Sequence, residues 1–319
     1  IAVFALLAGT ATTFSLATPL LAGAISTVTG IPQSTGLTLV ILIVVCAIYT
    51  FSVSFGMKGV QLSAATCTWL FFGLLAYVFF FGGQTRFIIE EGITALGNLT
   101  QNFIGLATWT DSLRTSSFPQ TWTIFYWAYW MVWCVAVPFF IGSISKGRTL
   151  RQVILGGYVF GLSGTFTSFI IMGNYGLGLQ MHGKLDVLST YTADGNLYHA
   201  ILDILGQLPL SKAVLVLLVL CMITFYSTSF DSITMVASTY TYKELKSDEE
   251  PHRNVKLFWA IFLILLPLAL IFSENSMSNL QTVSIIAAFP VGIIMLLIIT
   301  SFFKDADAYL QEQAHNSKS

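Results

Sequence analysis

Long apolar runs separated by short polar stretches dominate this chain. About 20 consecutive apolar residues cross the hydrocarbon core of a bilayer as a helix, so runs of this length predict membrane spans. Eight such segments are about Ile1–Val28, Thr35–Phe55, Leu62–Gly82, Trp122–Ser145, Leu150–Gly173, Leu210–Tyr242, Val255–Phe272 and Leu280–Phe303. The pattern therefore predicts an all-α polytopic membrane protein.

Two stretches are too polar to span and divide the chain into regions. Residues 84–120 alternate apolar and polar positions at helical spacing, which predicts an external amphipathic helix and loop at one membrane surface. Residues 175–209 predict a glycine-rich external connection with a short helix near Asn196–Gln207. The regions are then three membrane helices (1–83), the amphipathic helix and loop (84–120), two membrane helices (121–174), the connection (175–209), three membrane helices (210–303) and a tail (304–319).

Basic residues predict the orientation, because Lys and Arg collect in cytoplasmic loops. If the turn after the fourth segment is cytoplasmic, ten of the fourteen basic residues fall on that side. These ten are Lys58, Lys146, Arg148, Arg151, Lys243, Lys246, Arg253, Lys256, Lys304 and Lys318. The amphipathic helix is then external and the C-terminal tail cytoplasmic.

Composition excludes several function classes. The chain is 55% hydrophobic and 9% charged, which excludes a water-soluble domain, and its net charge of −1 argues against nucleic acid as a partner. Neither a nucleophile–base pair nor a metal-ligand spacing occurs in the sequence, so we predict no enzymatic activity and no resident cofactor. The sequence begins inside an apolar run, and we expect it to be part of a longer protein.

An aromatic cluster, WTIFYWAYWMVW, opens the fourth segment and contains four of the seven tryptophans. Tyr126, Trp130 and Trp133 follow helical spacing and Tyr129 lies beside them, so several rings should share one side of a helix. Such rings can form an interfacial belt or pack in a core. They can also form a cage for a cation that donates no hydrogen bonds, because π faces attract it.

Hydroxyl groups and one carboxylate lie inside the predicted spans. Thr228 and Ser229 precede Asp231 in the sixth segment, and their oxygens suit an alkali cation. Alternatively, these hydroxyls bond back to the preceding helical turn, and for Asp231 we prefer a structural role to that of a proton carrier. The first segment carries five hydroxyls in GTATTFSLATP, which predict a helix that faces protein or a water-filled cavity.

The aromatic run followed by ISKGRTLRQ resembles the signature of the betaine/carnitine/choline transporter (BCCT) family, approximately WTxFYWxWWxxW and then RISRGRTIRE. The spacing between the two halves is the same, a TSxDS pattern follows in the sixth segment, and the similarity covers essentially the whole chain. It implies a twelve-helix transporter of the LeuT-type inverted-repeat fold in a prokaryotic-type cell membrane. It also implies homotrimers surrounded by membrane lipid, and that the family's first four helices precede this sequence.

The resemblance implies a substrate with a quaternary (trimethyl) ammonium group, such as glycine betaine, carnitine or choline. Tyr129, Trp130 and Trp133 fall on the family's substrate positions, with Tyr126 and Trp127 supporting them. Tyr129 replaces the family's usual tryptophan, which keeps a π face and adds a hydroxyl. The following WCVAVPFF departs from the usual WSPFVG.

The resemblance also implies sodium as the coupling ion. Phe225, Thr228 and Ser229 match the family's second sodium site, and Thr10 falls near a proposed other sodium position. Sodium-independent members that exchange carnitine and γ-butyrobetaine carry an arginine at the position of Cys67. We therefore expect sodium-coupled transport. The alternatives are sodium-independent exchange and, in another class, a non-transporting membrane osmosensor or ligand-binding protein.

Overall fold

The computed structural model describes residues 1–54, 57–244, 249–271 and 276–316, and every regular element among them is helical. In chain order the helices are α1 (Ala2–Thr29), α2 (Thr35–Ser54), α3 (Met57–Phe81), α4 (Thr85–Thr108), α5 (Phe125–Trp133), α6 (Val137–Ile144), α7 (Leu150–Ser168), α8 (Asn174–Met181), α9 (Val187–Asp194), α10 (Leu197–Gly206), α11 (Ser211–Thr239), α12 (Arg253–Ile271) and α13 (Ser276–Asn316). Two π-helical turns, Pro119–Ile124 and Phe169–Gly173, lead into α5 and α8. The predicted all-α architecture is confirmed.

Six of the described helical stretches are long and apolar enough to cross a membrane. They are Ala2–Thr29, Thr35–Val53, Gln61–Phe81, Leu150–Met181, Ser211–Thr239 and Thr282–Gln313. The predicted seventh segment corresponds to α12. The predicted fourth segment is not one continuous helix, because α5 ends at Trp133 and α6 begins at Val137. Pro138 lies in the first turn of α6, where its missing N–H is tolerated, so the chain breaks just before it.

The structure is more helical than the sequence pattern predicts at two boundaries. The glycine-rich connection begins with α8 instead of a loop, and α13 continues to Asn316, well into the predicted tail. Tertiary packing explains α8, since a Cβ at Gly178 would lie 3.0 Å from Phe87 of α4 and 3.2 Å from the Gln84 side chain. The amphipathic helix and the short helix are present as α4 and α10.

The helices α1 and α11 form the centre of the bundle. α1 contacts α5, α11, α12 and α13, and α11 also contacts α2 and α3. At their crossing the rings of Phe14 and Phe230 stack with centroids 4.0 Å apart, and the hydroxyls of Thr18 and Tyr226 lie 2.9 Å apart. Since Phe14 precedes Thr18 but Phe230 follows Tyr226, the two helices run antiparallel.

The first segment faces protein, as its hydroxyl-rich sequence predicts. Thr10, Thr12 and Thr18 are all buried in α1. Thr12 shares a hydrogen bond of 2.7 Å with Ser284 of α13, so the hydroxyls of α1 tie it to its neighbours. The sequence predicts a helix that faces protein or a water-filled cavity, and these interhelical hydrogen bonds correspond to a helix that faces protein.

The basic turn between α6 and α7 owes its shape to three residues of its KGRTLRQ motif. Gly147 adopts a left-handed conformation with φ of 81°, which costs glycine little. Thr149 then caps α7: its side chain accepts from the Gln152 N–H at 3.3 Å, and the Gln152 side chain accepts from the Thr149 N–H at 3.0 Å. This reciprocal capping fixes where α7 begins.

The loop before the aromatic helix is closed around Asp111, which is 6% exposed. One carboxylate oxygen accepts the Ser116 N–H at 2.6 Å and the other accepts the Thr115 hydroxyl at 2.9 Å. The Gln120 side chain donates to the Thr110 carbonyl at 2.8 Å. The π-helical turn that leads into α5 begins at Pro119, just before Gln120. The Ser116 N–H, supported by the Thr115 hydroxyl, lowers the pKa of Asp111 below its ordinary value.

The lowered pKa predicts a pH-dependent contribution of Asp111 to stability. A depressed folded-state pKa gives stabilisation that is complete above the unfolded value of about 4 and is lost as pH falls through the folded value. We expect Asp111→Asn to lower the thermal unfolding midpoint at pH 7 and to match the wild type at the most acid pH. Thermal unfolding in detergent between pH 3 and pH 7 measures this, with Asp203→Asn on the exposed side of α10 as the control for lost charge. A difference that does not depend on pH would contradict the prediction.

Candidate functional site

The aromatic residues of α5 divide into inward and outward rings. Tyr129 and Trp133 are half-buried and face α1. Tyr126, Trp127 and Trp130 are 44%, 64% and 64% exposed. The structure therefore brings two of the five predicted substrate residues together and leaves the other three on the open side of α5. It does not gather all five around one enclosed cavity within the described part of the chain.

The two inward rings form a corner against α1. Tyr129 and Trp133 meet edge to face, with centroids 6.0 Å apart and planes at 86°. The Tyr129 hydroxyl lies 2.6 Å from the hydroxyl of Thr13. A Cβ added at Gly9 would lie 3.0 Å from the Trp133 indole and 3.1 Å from the Val132 side chain, so glycine lets this ring lie closer to the α1 backbone than a larger residue would. We call Tyr129 and Trp133 the aromatic corner.

The corner is backed by further aromatic packing along α5. Phe125 is fully buried and stacks on Tyr129 with centroids 5.5 Å apart. On the outer side Trp122 stacks on Tyr126 at 6.0 Å. Because the Phe125 and Tyr129 rings hold each other, rotation of Tyr129 would require Phe125 to move as well. Phe125 therefore restricts the orientation of the Tyr129 ring in the α1–α5 contact.

The helix breaks immediately after the corner. The Cys134 N–H bonds the Met131 carbonyl at 3.1 Å and the Ala136 N–H bonds the Trp133 carbonyl at 2.9 Å, both within a tight turn. Regular helical bonds to the fourth preceding residue stop here and resume in α6. Broken helices supply free backbone groups at the substrate sites of many membrane transporters.

Of the three predicted sodium residues on α11, two are partly sheltered and one is exposed. Thr228 donates to the Thr224 carbonyl at 2.9 Å, as the back-bonding alternative predicts, and its oxygen lies 3.2 Å from that of Ser63 on α3. Because a hydroxyl that donates its proton keeps two lone pairs, back-bonding is compatible with a cation ligand. Ser229 is half-buried, and Phe225 is 58% exposed.

Thr10 lies apart from this pair. It is fully buried and donates to the Leu6 carbonyl at 2.6 Å. The antiparallel register that pairs Phe14 with Phe230 brings Thr10 level with Thr234, six residues beyond Thr228 or about 9 Å along the helix axis. The structure therefore does not bring Thr10 into one site with Thr228.

Cys67 of α3 lies beside this region of α11. It is 7% exposed and contacts the Thr224 side chain, one turn from the contact between Ser63 and Thr228. A thiol at this point carries no fixed positive charge that could replace a bound cation.

Asp231 is buried nearby on α11. One of its oxygens accepts the Ser52 hydroxyl of α2 at 2.7 Å, and the other has no hydrogen-bond partner among the described residues. The Ser52 contact links α2 to α11, which agrees with the structural role preferred from the sequence.

Two residues of the site were missed from the sequence. Gly9 and Thr13 touch the aromatic corner, yet the sequence shows them only as part of a hydroxyl-rich run. Their spacing of four residues puts both on one face of α1 and was the available signal. Only the packing of α1 on α5 distinguishes Thr13 from the other threonines of the run.

Comparison with known proteins identifies what this chain is similar to. A family model described as BCCT, betaine/carnitine/choline family transporter, matches residues 1–311. A carnitine transporter of Acinetobacter baumannii is 30% identical over 275 residues, which are 86% of this chain and 50% of that protein. The glycine betaine transporter OpuD of Bacillus subtilis is 31% identical over 310 residues, which are 95% of this chain and 58% of OpuD. The chain thus spans little more than half the length of these relatives.

Gly9→Ala tests the close approach that forms the corner. Alanine gains about 1 kcal/mol of helix propensity over glycine, but forcing a methyl group against a packed ring costs about 1–3 kcal/mol. We expect a net loss of about 1 kcal/mol in the free energy of unfolding, measured by denaturation in detergent. Gly73→Ala in α3 is the matched control, because a Cβ there meets nothing within 4 Å. Equal stability of the two variants would show that Trp133 is not held against Gly9.

Proposed function

Because this chain belongs to the betaine/carnitine/choline transporter family, as its aromatic signature predicts, we propose that it carries the substrate site of a secondary transporter for a quaternary ammonium compound. Glycine betaine, carnitine and choline are the proposed substrates. Both relatives compared above are named as transporters, which confirms the prediction that the chain is not an enzyme. The aromatic corner beside the break between α5 and α6 is the observation that carries the proposal.

The chemistry of the corner suits a trimethylammonium group. Such a cation has no N–H to donate, so it gains little from acceptors and much from π faces, about 0.5–2 kcal/mol for each ring. Tyr129 and Trp133 present two perpendicular faces at one point, and the hydroxyl of Tyr129 is already held by Thr13. Methyl groups seated there replace water with aromatic surface on two sides.

The outward rings supply the remaining faces in this proposal. Tyr126, Trp127 and Trp130 lie on the side of α5 that no described helix covers, and they are 44%, 64% and 64% exposed. Since the relatives are nearly twice as long as the region they share with this chain, we infer that other helices of the transporter cover these rings. The substrate would then lie between the helices described here and those covering helices.

Transport would follow from movement around this site. Alternating access in such folds is a rocking of one helical group against another about a site near the bilayer midplane. The break between Trp133 and Val137 separates α5 from α6, which lets the ring-bearing helix tilt independently of the basic turn. The inverted repeat, the trimer and the cytoplasmic position of the tail belong to this proposal as well.

Sodium coupling is the proposed energy source. Thr228 and Ser229 are consecutive residues of α11. Thr228 donates to the Thr224 carbonyl and can accept from Ser63 at 3.2 Å, which leaves one lone pair for a cation. Cys67 beside Thr224 supports coupling to a cation, because the sodium-independent alternative requires a fixed positive charge at that place. The proposed site is completed by ligands from other helices, and Thr10 remains assigned to the other, separate sodium position that the resemblance implies.

Loss of the Trp133 ring tests the substrate site. We expect Trp133→Leu to raise the KM for glycine betaine uptake into proteoliposomes about tenfold or more, because a cation–π contact and its packing are lost. Trp133→Phe should recover part of the affinity. Trp259→Leu, on α12 and outside the corner, is the control for loss of an indole. If Trp133→Leu leaves the KM for glycine betaine, carnitine and choline unchanged, the Trp133 ring contributes only to packing and does not bind the substrate.

Replacement of sodium by potassium tests the coupling. We expect uptake by the wild type to be abolished in potassium, and Thr228→Val to raise the sodium concentration for half-maximal uptake about tenfold, since one hard oxygen ligand is removed. Thr165→Val on the exposed face of α7 is the control for loss of a back-bonded hydroxyl. Uptake that continues in potassium and is stimulated by preloaded substrate would favour exchange instead. Ligand quenching of tryptophan fluorescence without any flux would favour a sensor.

A further inference from the structure

A hydrogen-bonded chain connects the aromatic corner to the backbone of α1. The Thr13 hydroxyl donates to the Gly9 carbonyl at 2.9 Å and lies 2.6 Å from the Tyr129 hydroxyl. These hydrogen bonds therefore join Tyr129, through Thr13, to the α1 backbone at Gly9, the glycine against which Trp133 packs.

The number of protons on each group determines which group donates in each of these hydrogen bonds. A threonine hydroxyl has one proton, and that of Thr13 is used by the Gly9 carbonyl. In the contact with Tyr129, Thr13 must therefore accept, so the Tyr129 proton is directed at Thr13. The order is therefore Tyr129 to Thr13, and Thr13 to the α1 backbone.

We propose that Thr13 is a positioning residue of the quaternary ammonium site, which turns the hydroxyl donor of Tyr129 away from the substrate and leaves its π face. This inference rests on the proposed function. With its hydroxyl proton directed at Thr13, Tyr129 offers no donor to a carboxylate, so a zwitterionic substrate gains more by placing its ammonium end here and its carboxylate elsewhere. The corner is then selective for the methylated cation shared by betaine, carnitine and choline.

Thr13 is suited to this task because both partners of the Thr13–Tyr129 contact are held by other groups. Its own hydroxyl is tied to the backbone one turn earlier, and Phe125 holds the Tyr129 ring from behind with centroids 5.5 Å apart. Valine has the shape of threonine without the hydroxyl. With valine at this position the Tyr129 ring keeps its packing, but its proton becomes free to turn toward a ligand.

The same helix offers a matched control. Thr18 and Tyr226 form a second threonine–tyrosine hydroxyl pair at 2.9 Å, buried between α1 and α11 and away from the corner. Removing either hydroxyl of that pair breaks a contact of the same chemistry without touching Tyr129 or Trp133. Any general loss of stability from breaking such a pair should therefore appear in both sets of variants.

The experiment titrates the full chain, purified in detergent, with tetramethylammonium, which is the cationic group alone, and follows tryptophan fluorescence. We expect Thr13→Val and Tyr129→Phe each to weaken binding about three- to tenfold, and the double variant to be no weaker than the single ones. Thr13→Ser should bind as the wild type does, because it keeps the hydroxyl. Thr18→Val and Tyr226→Phe should leave the affinity unchanged, even where they lower the thermal unfolding midpoint.

A second measurement separates orientation from general damage. In competition assays Thr13→Val should lower the ratio of the affinity for tetramethylammonium to the affinities for ammonium and for acetate. The reason is that a freed Tyr129 hydroxyl can form hydrogen bonds with polar ligands. Affinity losses that are equal for the Thr13 and Thr18 variants, or a preference that does not change, would overturn the positioning role of Thr13. A wild type that binds no quaternary ammonium compound at all would instead overturn the proposed function and this inference with it.

Discussion

The close approach of α1 and α5 is the constraint on which the candidate site depends. Gly9 lets the Trp133 indole lie against the α1 backbone, and Thr13 one turn later meets the Tyr129 hydroxyl. Together these two contacts set the angle between the rings. A side chain at position 9 would have to displace the Trp133 and Val132 side chains, so the geometry of the aromatic corner depends on the small size of a residue on the neighbouring helix.

Hydroxyl groups serve two purposes in this bundle at the same time. Thr10, Thr13 and Thr228 each donate to a carbonyl one turn earlier on their own helix. Back-bonding of this kind satisfies the proton inside an apolar environment and leaves the oxygen lone pairs facing outward. Those oxygens can then accept from a tyrosine, as at Thr13, or face a cation, as we propose for Thr228. Back-bonding and ligand binding are therefore not opposed interpretations of such residues.

The helix α11 connects the two candidate regions mechanically. It packs against α1 through Phe14 and Phe230, and against α3 near the Thr228 hydroxyl. A movement of α11 would displace the proposed cation-binding residues and, through α1, the residues of the aromatic corner. Contiguous packing of this kind is one physical route for the coupling that we propose between ion and substrate.

The sequence by itself determined the membrane class, most of the helices and the family, because long apolar runs and a long aromatic motif need no tertiary information to be recognised. It did not determine that α5 ends at Trp133, because Pro138 in an apolar run is compatible with a kinked helix as well as with a break. Nor did it determine that the glycine-rich stretch after residue 173 is helical, because packing on α4 decides this point. Only the tertiary structure separated the inward ring of Trp133 from the outward ring of Trp130. Helical spacing places side chains on faces of a helix, but which face is covered depends on the neighbouring helix, and here that neighbour is held by Gly9 and Thr13.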